Sequence, residues 1–259
     1  MFPISDDNPS HIRPYVTWTF IGLCVLVFFW QASLGQEAGQ AAVYRLGMIP
    51  ARVFGLRDLS PELSGIPAWA TVITSMFMHG GWMHLGGNML FLWIFGDNIE
   101  DSMGHLRFFV FYLLCGVAAA LTQGILNPGS EIPMVGASGA ISGVLGAYLL
   151  LHPHATIRVL LFFGIIFWIA HVPALLVLGF WFVGQLVSAA MAPLNEPGVA
   201  FWAHVGGFVA GMALVPVFKD KYVQLFQGAN SRPFEIEKRR GPWARDPSRP
   251  RSRRRGPWG

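Results

Sequence analysis

The sequence predicts an all-α polytopic membrane protein with six transmembrane helices, a short central fourth helix and a long first external loop. Three observations carry that prediction. The chain is 53% hydrophobic and only 12% charged, with a mean hydropathy of +0.48, a composition suited to lipid and not to a soluble globule. Its apolar residues gather into runs near 15–33, 83–101, 108–126, 137–151, 173–191 and 201–217, most of them close to the ~20 residues that cross a ~30 Å hydrocarbon layer. Of the 18 Lys and Arg residues, 12 follow Val217, which assigns the C-terminus to the cytoplasmic side, where basic residues are retained.

Along the chain, residues 1–14 form a short cytoplasmic N-terminus, and the domain proper is 15–217. The first run has only Arg13 as a basic flank and no small-residue cleavage site, so it reads as a retained span and not a signal peptide. The long loop to the second run holds Arg45, Arg52 and Arg57 and lies outside. With six spans, the loops carrying Arg107 and Arg158 fall inside, while those at 127–136 and 192–200 contain no Lys or Arg. The stretch 157–172 is apolar but bounded by Pro173 and marked by Arg158 and His171, and it reads as an interfacial or re-entrant element. Counting it as a seventh span joins two spans at Pro173 without a polar loop and puts Arg13 and the basic tail on opposite sides, so the charge pattern favours six.

Residues 218–259 form a basic cytoplasmic tail, rich from about 228 in Arg, Pro and Gly with few aliphatic residues, a composition that predicts disorder. Its simplest role is to anchor topology. Contact with anionic lipid fits the same charge, and nucleic-acid binding is not expected. The net charge of +4 is mostly this tail and says nothing of substrate. Cys24 and Cys115 fall in the first and third spans, where small-residue packing is the default and a structural disulfide is not expected.

Polar side chains inside spans locate the chemistry, because facing them to lipid is costly. The second span and its approach hold His79, His84 and Asn88, the fourth Ser138 and Ser142, the fifth Gln185 and Ser188, and the sixth His204. Spans two, four and six all run from outside to inside, so His84, Asn88, Ser138 and His204 share a side and a depth. From Ser138 to Leu151 is 14 residues, about 21 Å of helix and too short for the ~30 Å layer. With its inner end anchored at His152-Pro153-His154, its outer end starts about 10 Å below the external surface, with 127–137 dipping in as irregular backbone. Backbone of that kind survives at depth only where protein encloses it or water reaches it. Ser138 is therefore expected at the floor of an aqueous pocket. Gly136, Gly139, Gly143, Gly146 and neighbouring alanines make this helix thin and suited to a central position.

Gly207 and Gly211 follow His204 at offsets of three and seven, so the imidazole shares a face with a small-residue ridge, expected to pack against Gly139 and Gly143. Ser138 and His204 then suit a nucleophile and its general base, the imidazole taking the hydroxyl proton and returning it to a leaving amine. No acidic residue in a span is placed to orient the imidazole, which points to a dyad. His84 and Asn88 are four apart and share a helix face, and with the Ser138 amide they are candidate oxyanion donors, each worth ~3 kcal/mol in measured systems. Gln185 and Ser188 read as interhelical hydrogen-bonding groups, and Trp181 and Phe182 can shape a lateral entrance. His79 and His84, five apart, turn about 140° from one another on a helix, and no His-Glu-x-x-His is present, so no metal is expected. The hydrolase elbow Gly-x-Ser-x-Gly is also absent, since position 140 is Ala.

Taken together, His79-x-x-x-x-His84-x-x-x-Asn88, Gly136-x-Ser138-Gly139 and Ala203-His204-x-Gly206-Gly207 resemble, in order and spacing, the signature of rhomboid intramembrane serine proteases of the bacterial type. The resemblance covers roughly 14–219. It implies a six-helix core, Ser138 as nucleophile, His204 as base, and His84, Asn88 and the Ser138 amide as oxyanion site. It further implies cleavage of single-span membrane proteins near their external end, at small residues in easily unwound segments, with entry between the second and fifth spans. The partners implied are transmembrane protein substrates and the lipid bilayer of the cell (inner) membrane, both termini being cytoplasmic, without metal or cofactor; oligomeric state stays open. Two departures stand out. Some rhomboids have Trp-Arg in the first loop, where this chain has Trp69-Ala70, and some place an aromatic four after the nucleophile, where it has Ser142. A catalytically silent rhomboid-like scaffold or chaperone typically lacks the Ser or the His, and both are present. A transporter needs polar residues continuing to the inner face, whereas these stay in the outer half.

Overall fold

The computed structural model describes residues 2–58, 60, 63, 65–164, 166–193 and 198–228. In chain order the elements are β1 (Phe2–Asp6), α1 (Tyr15–Ser33), α2 (Gly35–Leu46), α3 (Pro50–Val53), α4 (Ala68–Thr74), α5 (Trp82–Met103), α6 (His105–Leu126), α7 (Ser138–Leu151), β2 (Thr156–Phe163), β3 (Ile166–Pro173), α8 (Ala174–Met191) and α9 (Phe201–Phe218). A 3₁₀ turn, Ser75–Phe77, follows α4. The molecule is mostly helical. Among the described residues, α1, α6, α8 and α9 are long and apolar enough to cross a membrane by length and composition. Helix α5 has 22 residues but carries Asp97, Glu100 and Asp101 toward its end, and α7 has only 14.

Local chemistry sets the helix ends. Gly104, at φ +80, joins α5 directly to α6, a conformation that costs glycine nothing and strains any other residue. Pro14 precedes α1 and makes no side-chain cap. The cap comes from elsewhere in the chain: buried Glu100 accepts from the amides of Val16 (2.9 Å) and Thr17 (2.8 Å) and from Thr17 Oγ1 (2.7 Å). A carboxylate there satisfies orphan helix amides and complements the helix dipole, and it also ties α1 to α5.

Helix α7 is the axis of the molecule, buried over almost its whole length. Its glycines admit two neighbours. A Cβ on Gly207 or Gly211 of α9 would lie 2.0 Å from Gly139 O or 1.9 Å from Gly143 O, and a Cβ on Gly143 would lie 2.4 Å from Cys115 Cβ of α6. The α7 and α9 backbones are therefore in contact, an approach open only to glycine.

The all-α expectation needs correction. The stretch 157–172, expected as an interfacial or re-entrant element, is an antiparallel β-hairpin to which β1 adds a third strand, in the order β1-β2-β3. Its run of β-branched and aromatic residues, Ile157, Val159, Phe162, Phe167, Trp168, Ile169 and Val172, favours strands. Gly164, at φ +64, supplies the turn that divides it. A continuous apolar run has no periodicity to separate strand from helix, and the partner strand comes from the far N-terminus.

Tyr148 of α7 donates to Asp6 Oδ2 at 2.5 Å and so fastens β1 to the end of α7 opposite Ser138. Burial pushes the Asp6 carboxyl up to about 7 from 3.8, against the lowering effect of Tyr148 and with a further rise from Asp97. The folded pKa lies above the unfolded one, so the folded state keeps a proton that the unfolded chain sheds. The contribution of this contact is full below pH ~4, falls as pH rises to about 7 and is constant beyond. Thermal midpoints of wild type and Asp6→Asn should therefore separate as pH climbs from 4 to 8, with the Asn variant the more stable at pH 8. A gap independent of pH would contradict this.

The first loop packs as a layer over the segment before α7. Met48 and Met134 bridge as a short antiparallel pair, the Ala51 amide donates to Ser130 O (2.9 Å), and the Gly136 amide donates to Ser75 O (2.9 Å). Irregular backbone leading to Ser138 is thus held to the first loop at Ser130, Met134 and Gly136. After α9 the chain folds back, and the amides of Phe226 and Gln227 donate to Leu150 O and Leu151 O. The tail from 229 to 259, expected to be disordered, lies outside the described residues.

Candidate active site

Ser138 is the first residue of α7, with Ala137 at the N-cap. Two residues earlier Gly136 sits at φ +128, and a Cβ there would lie 2.8 Å from both Cε1 and Nε2 of His84. Glycine is therefore required twice over, by backbone conformation and by the imidazole beside it.

His204 lies in the first turn of α9, brought level with Ser138 by the Gly207–Gly139 contact. Its Nε2 is 2.8 Å from Ser138 Oγ, and its Nδ1 is 2.7 Å from Gln185 Oε1 on α8. An amide oxygen only accepts, so Nδ1 carries the proton. Nε2 is then left with a lone pair for the serine O–H. This geometry can draw the proton from Ser138 as its oxygen attacks a carbonyl.

His84 and Asn88 lie one turn apart on α5. The Gly80 amide donates to His84 Nδ1 at 3.3 Å, so Nε2 bears the hydrogen, beside Gly136. Asn88 Nδ2 is buried and has no hydrogen-bond partner among the described residues, and a Cβ at Gly136 would lie 3.5 Å from it. Two N–H donors thus meet at the residue two before Ser138. His79 stacks edge-on against His84 at 5.3 Å and is fully buried. Burial, and next His84, push its pKa down to about 4, so it is neutral at pH 7. A cavity of about 620 Å³ is lined by Ser138, His204, His84, Asn88, Gly136 and Trp181.

The chain matches the rhomboid domain family over residues 67–221. It belongs to the rhomboid family. Similar proteins include rhomboid-like protein 11, chloroplastic, of Arabidopsis thaliana, 30% identical over 58% of this chain and 52% of that protein. Rhomboid protease GluP of Bacillus subtilis (strain 168) is 32% identical over 53% of this chain and 24% of its own length. Rhomboid protein 1, mitochondrial, of Saccharomyces cerevisiae is 31% identical over 66% of this chain and 51% of its own. This rhomboid thus spans about half the length, or less, of those relatives.

The structure brings Ser138, His204, His84, Asn88 and Gly136 to one cavity, with Gly139, Gly143, Gly207 and Gly211 in the seam behind them and His79 packed behind His84. Gln185, which in sequence reads only as an interhelical hydrogen-bonding group, joins this rhomboid's site. A signal for it exists in the chain: Trp181 and Gln185 are four apart on α8 and so share a face, and both meet His204, the indole at 6.0 Å between ring centroids. Ser142 donates to Ser138 O at 2.6 Å and is spent on its own helix. The aromatic neighbours of the imidazole are instead Trp181 and Phe201, the latter edge-on at 6.3 Å.

Proposed function

We propose that this rhomboid is an intramembrane serine endopeptidase of the cell (inner) membrane, cleaving single-span membrane proteins near the external face. In this reading α1, α5, α6, α7, α8 and α9 are the six spans and both termini are cytoplasmic. The observation that carries it is the 2.8 Å approach of His204 Nε2 to Ser138 Oγ, inside a cavity that also receives an Asn88 amide N–H without a partner among the described residues.

Ser138 Oγ attacks the scissile carbonyl carbon while His204 Nε2 takes its proton. His84 Nε2–H, Asn88 Nδ2–H and the Ser138 amide receive the developing oxyanion. The C–N bond breaks as His204 returns the proton to the amine, leaving an acyl-serine. Water, deprotonated by His204, then releases the acid and restores Ser138. Gln185 acts through the imidazole as a positioning residue, holding the tautomer and ring plane in the role a carboxylate fills in a triad. The pair remains a dyad, with a neutral orienting group.

The direct test is cleavage of a single-span substrate co-reconstituted with the full chain, its cut site mapped by mass spectrometry. An intact substrate, together with no labelling by a fluorophosphonate probe, would reject the proposal. Asn88→Ala should lower kcat by about 10²–10³ at unchanged thermal stability, because Nδ2 gives up no partner among the described residues. Gln185→Ala should lower kcat by about 10–100-fold through a misplaced imidazole with KM little altered, and Gln185→Glu, which keeps an acceptor, should recover most of it. A change confined to KM would place Gln185 in substrate binding instead.

A further inference from the structure

We infer that the β2–β3 hairpin is seated on lipid, lying in the boundary between headgroups and acyl chains at the membrane face opposite Ser138. The strand register sorts its side chains into rows. On one face Thr156 and Pro173 form the row nearest the helices, then Ser5, Arg158 and His171, then Phe2, Leu160 and Ile169, then Phe162 and Phe167 at the tip. On the other face Ile157 and Val159 enter the protein core and Leu161 packs against it, but Trp168, paired with Leu161 in the next row out, is exposed.

The outer rows are bare. Phe162 is 51% exposed, Phe167 and Trp168 65% each, and Ile169 51%, an aromatic cluster on both faces of one tip that water disfavours. Lipid is the occupant that fits. β3 passes into α8 with no intervening residue, and α8 continues the apolar surface with Leu175, Leu176 and Phe180, all exposed. α8 is also long and apolar enough to cross a membrane. The apolar tip is therefore continuous with a surface that meets acyl chains. The row of Arg158 and His171, nearer the helices than these aromatics, is by contrast exposed and polar, which suits it to lipid phosphates.

The backbone sets the depth. Among the described residues β3 is an edge strand, and its outward N–H and C=O groups cannot be left in hydrocarbon. The hairpin therefore lies along the interface, its side chains reaching about 5–10 Å toward the acyl chains as interfacial helices do, while the edge stays hydrated. Because β3 leads directly into α8, this seat fixes the end of the helix that presents Gln185 and Trp181 to His204. The inference rests on the membrane reading of α8 and not on the serine chemistry.

Depth-dependent quenching tests it. Cys24 and Cys115 are fully buried, so a single exposed Cys takes an environment-sensitive NBD label. The full chain carrying Phe167→Cys, or Ile169→Cys as a second position, is reconstituted in phosphatidylcholine/phosphatidylglycerol vesicles. Phe180→Cys on α8 and Tyr222→Cys after α9 serve as membrane and water controls. The hairpin labels should lose about half their emission to 5-doxyl lipid, less to 12-doxyl lipid, and little to iodide. Phe180 should respond more to 12-doxyl, and Tyr222 to iodide. Quenching of the hairpin labels by iodide would overturn the proposal in favour of a water-exposed hairpin. Protection from every quencher would overturn it in favour of a protein partner or a second copy. Quenching by 12-doxyl as strong as by 5-doxyl would overturn it in favour of deep insertion. Failure of Phe180 to meet lipid would remove the membrane reading itself, which the hairpin result alone does not.

Discussion

Ser138→Ala is expected to abolish both cleavage of a reconstituted single-span substrate and fluorophosphonate labelling, with no loss of fold. The substitution deletes one oxygen atom from the first turn of α7 and leaves the backbone seam with α9 intact. The expected loss in kcat is about 10⁴–10⁶, the range found when the nucleophile of a serine hydrolase is removed. His204→Ala should lose activity to a similar extent, and the double variant should lose little more than either single one, because nucleophile and base act as a unit. Near-additive losses would separate the two roles. Retained turnover by Ser138→Ala at a normal thermal midpoint would sink the hydrolytic reading altogether, whatever the family.

Gly207→Val should be nearly as damaging by a different route. Its Cβ would lie 2.0 Å from Gly139 O, so α9 must move away from α7. Helix α7 has little room to yield in turn, because α6 lies so close on its other side that a Cβ on Gly139 would lie 2.6 Å from Ala119 Cβ. Overpacking a seam of two backbones costs about 1–3 kcal/mol or more. A shift of about 1 Å at His204 is enough to cost about 10²-fold in rate. Gly211→Val, one turn further from the site, should lose a similar amount of stability with a smaller loss of rate. Gly22→Ala is the control: nothing lies within 4 Å of a Cβ there, and alanine is the better helix former. If Gly207→Val were labelled by fluorophosphonate at the wild-type rate, the seam would not be what holds the base.

Much of this was legible in the chain because it depends on local spacing. Ser138 to Leu151 is too short an apolar run to cross alone, and the structure begins and ends α7 at those residues. The offsets from His204 to Gly207 and Gly211 put imidazole and glycines on one face, and that face meets Gly139 and Gly143. What escaped had at most a weak local signature. Gln185 shares α8 with Ser188 and a face with Trp181, and that spacing alone does not separate an orienting group from an interhelical hydrogen bond. The stretch 157–172 is apolar apart from Arg158 and His171 near its ends, so it carries neither the 3.6 nor the 2.0 period, and its third strand comes from residues about 150 positions away.

By itself, then, the sequence determined the features that composition and a single helical repeat dictate: a polytopic apolar chain, a short glycine-lined central helix, and a serine and histidine each heading a helix with small residues behind it. Tertiary structure decided the rest. It chose Gln185 to meet His204 Nδ1, Trp181 in place of a residue at 142 as the aromatic beside the imidazole, and a β-sheet closed by the N-terminus where an all-α chain was expected. The physical reason is the range of the interactions. Hydrophobic matching and glycine spacing act along one helix, where the order of residues fixes them. Hydrogen-bond and strand partners are set by which elements pack together, and no residue carries that information within its own segment.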